Sequence, residues 1–192
     1  MTGNGDRHDG LDGDRDVIEL LIEQHGQIRA LFAELEGAVG DRRRDAFRRL
    51  VRLLAVHETA EEEIVHPTVR GTEDGAAIVD ARVAEEHRAK ELLSTLDKIG
   101  PDADGFDTLL IQLRDDVLAH AAHEEREEFP RLREACAPDR LRLMALAVKA
   151  AESVAPTRPH PGIESATANL LLGPPMAIMD RARDMIRGAL GR

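Results

Sequence analysis

The sequence contains no tryptophan, no tyrosine and only four phenylalanines among 192 residues. Without tyrosine there is no side chain to carry a tyrosyl radical, which excludes chemistry of the ribonucleotide-reductase kind. A core this poor in aromatics must be built from Leu, Val, Ile and Ala, which suits helices better than a β-sandwich. Cys136 is the single cysteine, so an intrachain disulfide and a thiolate metal cluster are both excluded. No window holds eighteen consecutive apolar residues, and the N-terminus lacks the apolar core of a secretory signal. The expected location is the cytoplasm, with no membrane partner. Positive charge is also short: 26 Lys and Arg stand against 37 Asp and Glu, for a net charge of −11. Nothing in that balance would neutralise phosphates, so no nucleic-acid partner is expected. There is no Ser-His-Asp set, no glycine-rich phosphate loop and no HExxH zinc motif. The ExxH pair of ferritin-like proteins occurs once, at Glu63-Ile64-Val65-His66, and is not duplicated.

What the chain does have is a repeat. His57-Glu58-Thr59-Ala60-Glu61-Glu62-Glu63-Ile64-Val65-His66-Pro67 returns 63 residues later as His120-Ala121-Ala122-His123-Glu124-Glu125-Arg126-Glu127-Glu128-Phe129-Pro130. Aligned on the first histidine, both copies carry Glu at +4 and +5 and Pro at +10. Each follows an amphipathic run, so each reads as a helix that the proline terminates. His and Glu four residues apart share one helix face. Upstream of each block lies another helical run with one histidine, His25 and His87, at gaps of 32 and 33 residues. A helical hairpin is therefore written twice, and two such hairpins bury one another's apolar faces.

The stripes agree. Ile18, Leu21, His25, Ile28, Phe32 and Leu35 mark helix A, which starts at an N-cap in Asp14–Asp16. Phe47, Leu50, Leu54, His57, Glu61 and Ile64 mark helix B, and Phe106, Leu110, Leu113, Val117, His120 and Glu124 mark helix D. Helix C, about 73–99, is the least regular and is placed by His87. Short links make neighbouring helices antiparallel. The expected architecture is an all-α, up-down-up-down four-helix bundle over 14–134. A disordered leader (1–13) precedes it, and a C-terminal helical arm (135–192) packs on the bundle or on a second copy of the chain as a homodimer.

Four helices offer a histidine each and two add a glutamate one turn on. Burying so many ionisable groups without a cation costs several kcal/mol per charge, so the pattern predicts a metal site. Imidazole and carboxylate without thiolate suit iron, manganese or zinc. Proline spacing selects His120 over His123 as the partner of the conserved-offset glutamate, since Pro130 lies ten residues after His120 and Pro67 ten after His57. Glu62, Glu63, Glu125 and Glu128 are expected at the surface.

The order His, HxxxE, His, HxxxE resembles the hemerythrin-like HHE cation-binding domain family. The tail after Pro138 resembles extensions of some bacterial members. The resemblance implies two iron ions in an oxo- or hydroxo-bridged centre. One would be held by His25 and His57 sharing Glu61, the other by His87 and His120 sharing Glu124, with Glu58 as an additional carboxylate. Oxygen carriers of this family have a second helix-C histidine, where this chain has Val83 and Glu91 four residues either side of His87. Glu58 or Glu91 is the expected substitute. A carboxylate-rich site shifts the expected function from simple oxygen carriage toward binding, sensing or reducing a small oxidant (O2, H2O2 or NO), with a catalase-like activity if it is an enzyme. The alternative is an iron- or redox-responsive module in which metal occupancy controls the C-terminal arm or a partner surface.

Overall fold

The computed structural model describes residues 15–154 and 175–191. The expected leader and the Pro156–Pro161 stretch lie outside these residues. Helix α1 (Val17–Gly37) begins at a reciprocal capping box in which Asp16 accepts from the Glu19 backbone and Glu19 accepts from the Asp16 backbone. Helix α2 (Gly40–Ala60) runs through a π turn at Glu61–Val65 into α3 (His66–Arg70). After α4 (Gly75–Ile99), α5 (Phe106–His123) runs through a second π turn at Glu124–Glu128 into α6 (Phe129–Ala135). The extension forms α7 (Pro138–Val154) and α8 (Pro175–Ala189). The fold is all-α, a four-helix bundle of α1, α2–α3, α4 and α5–α6 with extra C-terminal helices. No described helix is long and apolar enough to cross a membrane.

The prolines do not end their helices, contrary to the sequence-based expectation. In a regular α-helix the ring of Pro67 would clash with the carbonyl of Glu63, and that of Pro130 with Arg126. Both carbonyls lie inside the π turns, where the widened backbone accommodates the ring and the helix continues. Each π turn also inserts a residue into the helical count and rotates everything after it. That rotation buries His66, and the widening within the turns carries Glu63 and Glu128 inward, although the stripe upstream would leave the two glutamates at the surface.

Two apolar clusters fill the bundle. One is built from Ile28, Phe32, Leu35, Phe47, Leu50, Leu54, Leu93, Leu96, Phe106, Leu110, Leu113 and Val117. Phe47 meets Phe106 edge-on there, with ring centroids 5.2 Å apart. The other joins the start of α1 and the ends of α2 and α6 to α7 and α8, which contribute Leu141, Met144, Val148, Ala151, Ile178, Met179, Ala182 and Ile186. The C-terminal helices therefore pack on the chain's own bundle. Between the clusters, at His25 on α1, His57 on α2 and His120 on α5, the stripes turn polar while staying buried. The polar layer is the site.

Candidate metal centre

His25 and His57 direct their Nε2 atoms at one another across 3.0 Å. The other nitrogen of each ring is committed. His57 Nδ1 meets Gln24 Oε1 at 2.7 Å, and His25 Nδ1 meets Glu125 Oε1 at 2.8 Å. In the neutral ring an oxygen acceptor on Nδ1 places the proton there and leaves Nε2 as a bare lone pair. Two lone pairs facing at that distance repel unless a cation lies between them. His120 follows the same pattern, its Nδ1 on Glu85 Oε2 at 3.1 Å, and Glu85 also engages His123 and Arg82.

Glu61 and Glu124 complete the layer, both fully buried. Glu61 sets Oε1 at 3.0 Å from His57 Nε2 and Oε2 at 3.8 Å from His120 Nε2. Glu124 sets Oε2 at 3.3 Å from His25 Nε2 and Oε1 at 3.3 Å from His120 Nε2. Each carboxylate thus turns one oxygen toward the His25–His57 pair and the other toward His120. None of these four oxygens, nor His120 Nε2, has a hydrogen-bond partner among the described residues. Leaving five polar atoms unsatisfied in a dry interior costs about 1–3 kcal/mol for each, so a cation is what the arrangement accommodates. Ligand atoms about 2.0–2.2 Å from one ion lie about 2.9–3.5 Å apart, which matches the edges among His25, His57, Glu61 and Glu124. Their candidate ligand atoms all fall within 4.8 Å of one another, and so do those of a second set, Glu61, Glu86 and His120.

Glu86 was not among the residues the sequence pointed to, and it stands where His87 was expected. His87 is 75% exposed and pairs with Glu91 at 3.5 Å on the outer surface, so the structure does not bring it to the candidate ligands. The buried stripe of α4 is Val79, Arg82, Glu86, Ala89, Leu93 and Leu96. This alternating 3-4 spacing puts Glu86 inward and its neighbour, one residue or about 100° further round, outward. The gap between histidines in the repeat depends on link length, whereas the stripe depends on the face; following the stripe through α4 would have found Glu86. Glu91, the other expected substitute, is on the outside with His87. Glu58 is buried, but it faces Lys90 at 3.1 Å and belongs to neither candidate ligand set.

His66 was also passed over. Its Nδ1 lies 2.8 Å from Glu128 Oε1 and its Nε2 2.5 Å from Glu86 Oε1, which fixes the Glu86 carboxylate from behind. Lys90 holds the other Glu86 oxygen at 3.2 Å.

The electrostatics record how poorly these groups tolerate one another without metal. Burial first, then the charge of Glu61, pushes the Glu124 carboxyl up to about 8. Burial alone would raise Glu61 as well, but the imidazoles of His57 and His120 outweigh it and hold Glu61 well below the usual carboxylate range. Burial pulls His120 down, and Glu124 and Glu61 overcome it, pushing the imidazole up to about 12. Glu58 rises to about 7 through burial, opposed by Lys90. Protons occupy the layer where a cation would.

A family model for the hemerythrin HHE cation binding domain matches residues 16–132. The chain belongs to this family. It is similar, at 28% identity over 144 residues, to a protein from Nostoc sp. described as a DNA nickase, a match that covers 73% of this chain and 40% of that one. The chain therefore spans about two fifths of the length of that relative. Among solved structures it resembles a hemerythrin HHE cation binding domain-containing protein from Mycobacterium kansasii, with a TM-score of 0.64 and 18% identity over 91% of this chain and 99% of that one. At this identity the likeness concerns the fold. Its coverage extends past residues 16–132 and takes in part of the C-terminal extension.

Proposed function

We propose that this member of the HHE family is a cytoplasmic protein that holds two iron ions between its four helices and uses them to bind or reduce a small oxidant such as O2, H2O2 or NO. The observation that carries this is the two-sidedness of Glu61 and Glu124, each with one oxygen toward His25 and His57 and one toward His120. On the first side His25 and His57 would hold an ion; on the second, His120 and Glu86 would. Hard oxygen and imidazole donors without thiolate favour iron or manganese over a purely structural zinc site. Such ions supply reversible one-electron redox steps.

The chain's own residues provide the rest. Beside the layer lies a small cavity of about 10 Å³, lined by Ile28, Leu54, Ala89 and Val117 with His25, His57, Glu58 and His120. It is large enough for about one water-sized molecule, which admits a diatomic or a peroxide and excludes organic substrates. Metal analysis of protein purified from iron-replete cells should give close to two irons per chain, with charge-transfer bands in the near ultraviolet and peroxide consumption above that of the metal-stripped protein. One zinc per chain and a featureless spectrum would remove the reading.

The likeness to a DNA nickase raises a second possibility, since paired metals also hydrolyse phosphodiesters. The net charge of −11 opposes it, as does the enclosure of the polar layer, which a DNA backbone could not reach. Supercoiled plasmid incubated with metal-loaded protein should stay supercoiled.

A further inference from the structure

Glu152 lies on α7, outside the residues matched to the HHE domain, yet it stands two hydrogen bonds from a candidate ligand. An ionised carboxylate only accepts, so Gln24 turns its NH2 group to Glu152 and donates to Oε1 at 2.6 Å. That fixes the Gln24 oxygen on the opposite side, 2.7 Å from His57 Nδ1. An amide oxygen only accepts, so the His57 proton sits on Nδ1 and the Nε2 lone pair faces Glu61 and His25. Gln24 is completely buried, while Glu152 is half-buried at the end of α7. The last turn of α7 is held in place for this: Arg52 on α2 donates to the Glu152 backbone carbonyl at 2.7 Å, and neighbouring Ala151 is sealed in the apolar cluster.

His57 differs here from the other two imidazoles. His25 and His120 meet carboxylates of α5, its π turn or α4 directly, and those can only accept. His57 meets a neutral amide that could present either its oxygen or its NH2 group. Only the group behind the amide decides which, and that group comes from the extension.

We propose that the C-terminal extension is part of the metal centre, with Glu152 as a positioning residue that sets the His57 tautomer through Gln24 and thereby makes His57 able to ligate. The proposal rests on the metal-binding reading above. Partners of this kind behind a ligating histidine are worth roughly ten- to a hundred-fold in metal affinity.

The test uses the full chain with 15N-labelled histidine. The His57 ring nitrogens are read by NMR in metal-free protein at pH about 8, above the ordinary histidine range. Release of bound Zn(II) to a chelator is then timed. Wild type should show an Nδ1–H ring at His57. Glu152→Lys forces Gln24 to turn its oxygen outward and its NH2 toward His57, so the tautomer should invert to Nε2–H and zinc should leave roughly ten-fold faster or more. The exchange variant Gln24→Glu with Glu152→Gln keeps an acceptor toward His57 and a donor toward residue 24, and should return tautomer and release rate to wild type. A wild-type tautomer and rate in Glu152→Lys, or an exchange variant as leaky as Glu152→Lys, overturns the proposal. If Glu152→Lys does not fold, Glu152→Ala decides: freeing Gln24 should give mixed tautomers, and a pure Nδ1–H ring overturns the proposal. Wild-type protein that takes up no zinc or iron removes the metal reading instead, and the tautomer measurement still separates the two failures.

Discussion

Glu61 and Glu124 each occupy the first position of a π turn, 63 residues apart, which is also the spacing of the sequence repeat. The widened turn begins at the glutamate that faces both sides of the polar layer. π turns recur at functional sites because they displace a side chain from regular register at a backbone cost that must be offset elsewhere. Here the offset is visible, since each turn also accommodates the proline that follows six residues after its glutamate.

On α4, Glu86 and His87 are adjacent in sequence and opposite in orientation. Glu86→Ala should lower the metal content by one of the two proposed ions, because it removes a carboxylate beside His120 and strands His66. His87→Ala should leave metal content and melting temperature unchanged, as expected for a side chain 75% exposed. Elemental analysis of the two variants reads this directly. Loss of metal in His87→Ala with retention in Glu86→Ala would reverse the assignment.

The same comparison applies on α5. His120 presents an orphaned Nε2 to Glu61 and Glu124, whereas His123 is half-buried and touches the layer only through Glu85. His120→Ala should empty the second side of the site. His123→Ala should slow or weaken metal uptake modestly by loosening Glu85, with both ions still bound at saturating iron.

The bundle and most of the polar layer were legible in the sequence because helix faces repeat and His25, His57, Glu61, His120 and Glu124 each lie on an unbroken apolar stripe. Glu86 escaped because a glutamate on a charged helix looks like surface, and the histidine beside it is the residue type that more readily marks a ligand. His66 and Glu128 escaped for a different reason. His66 follows the first π turn and Glu128 closes the second, and periodicity counted from upstream assigns them the wrong face. No propensity in the run Glu61-Glu62-Glu63-Ile64-Val65 announces a widened turn; the proline at Pro67, read as a stop, is the trace it leaves. The link from Glu152 to Gln24 spans 128 positions and has no local signature at all.

The turn between α3 and α4 offers a stability prediction independent of metal. A Cβ added to Gly75 would lie 1.9 Å from the Val69 carbonyl oxygen, which already accepts from the Thr72 backbone and hydroxyl. Backbone must shift to admit it, and overpacking of this kind costs about 1–3 kcal/mol. Gly75→Ala should lower the unfolding free energy by that amount, read as a lower denaturant midpoint at unchanged slope, while leaving metal stoichiometry unchanged at low denaturant. Glycine at 100, with φ of 79°, supports the next link by conformation instead of space.

In metal-free protein Glu124 is raised to about 8 and Glu58 to about 7, each from an ordinary value of 4.5, chiefly by burial. His120 is raised to about 12 from 6.5, its two carboxylate partners overcoming burial. In every case the folded chain holds a proton more tightly than the unfolded chain. A group of this kind contributes stability below its unfolded pKa and loses it as pH rises toward the folded one. Glu61 has the opposite sign, since its folded pKa is depressed; its contribution is lost only as pH falls below the ordinary carboxylate range, outside the window of interest. Metal-free protein should therefore lose stability between pH about 5 and about 8. Metal binding must expel the protons of Glu124 and His120, so ligation strengthens over that interval and stabilises the folded state by mass action. The gap between metal-loaded and metal-free melting temperatures should widen as pH rises, and addition of iron to metal-free protein in weak buffer should acidify the solution. Calorimetry across the interval, with a pH electrode for the titration, checks both. Equal melting temperatures at pH about 7 with no proton release would mean that the histidines and glutamates are satisfied by one another and that no cation belongs among them.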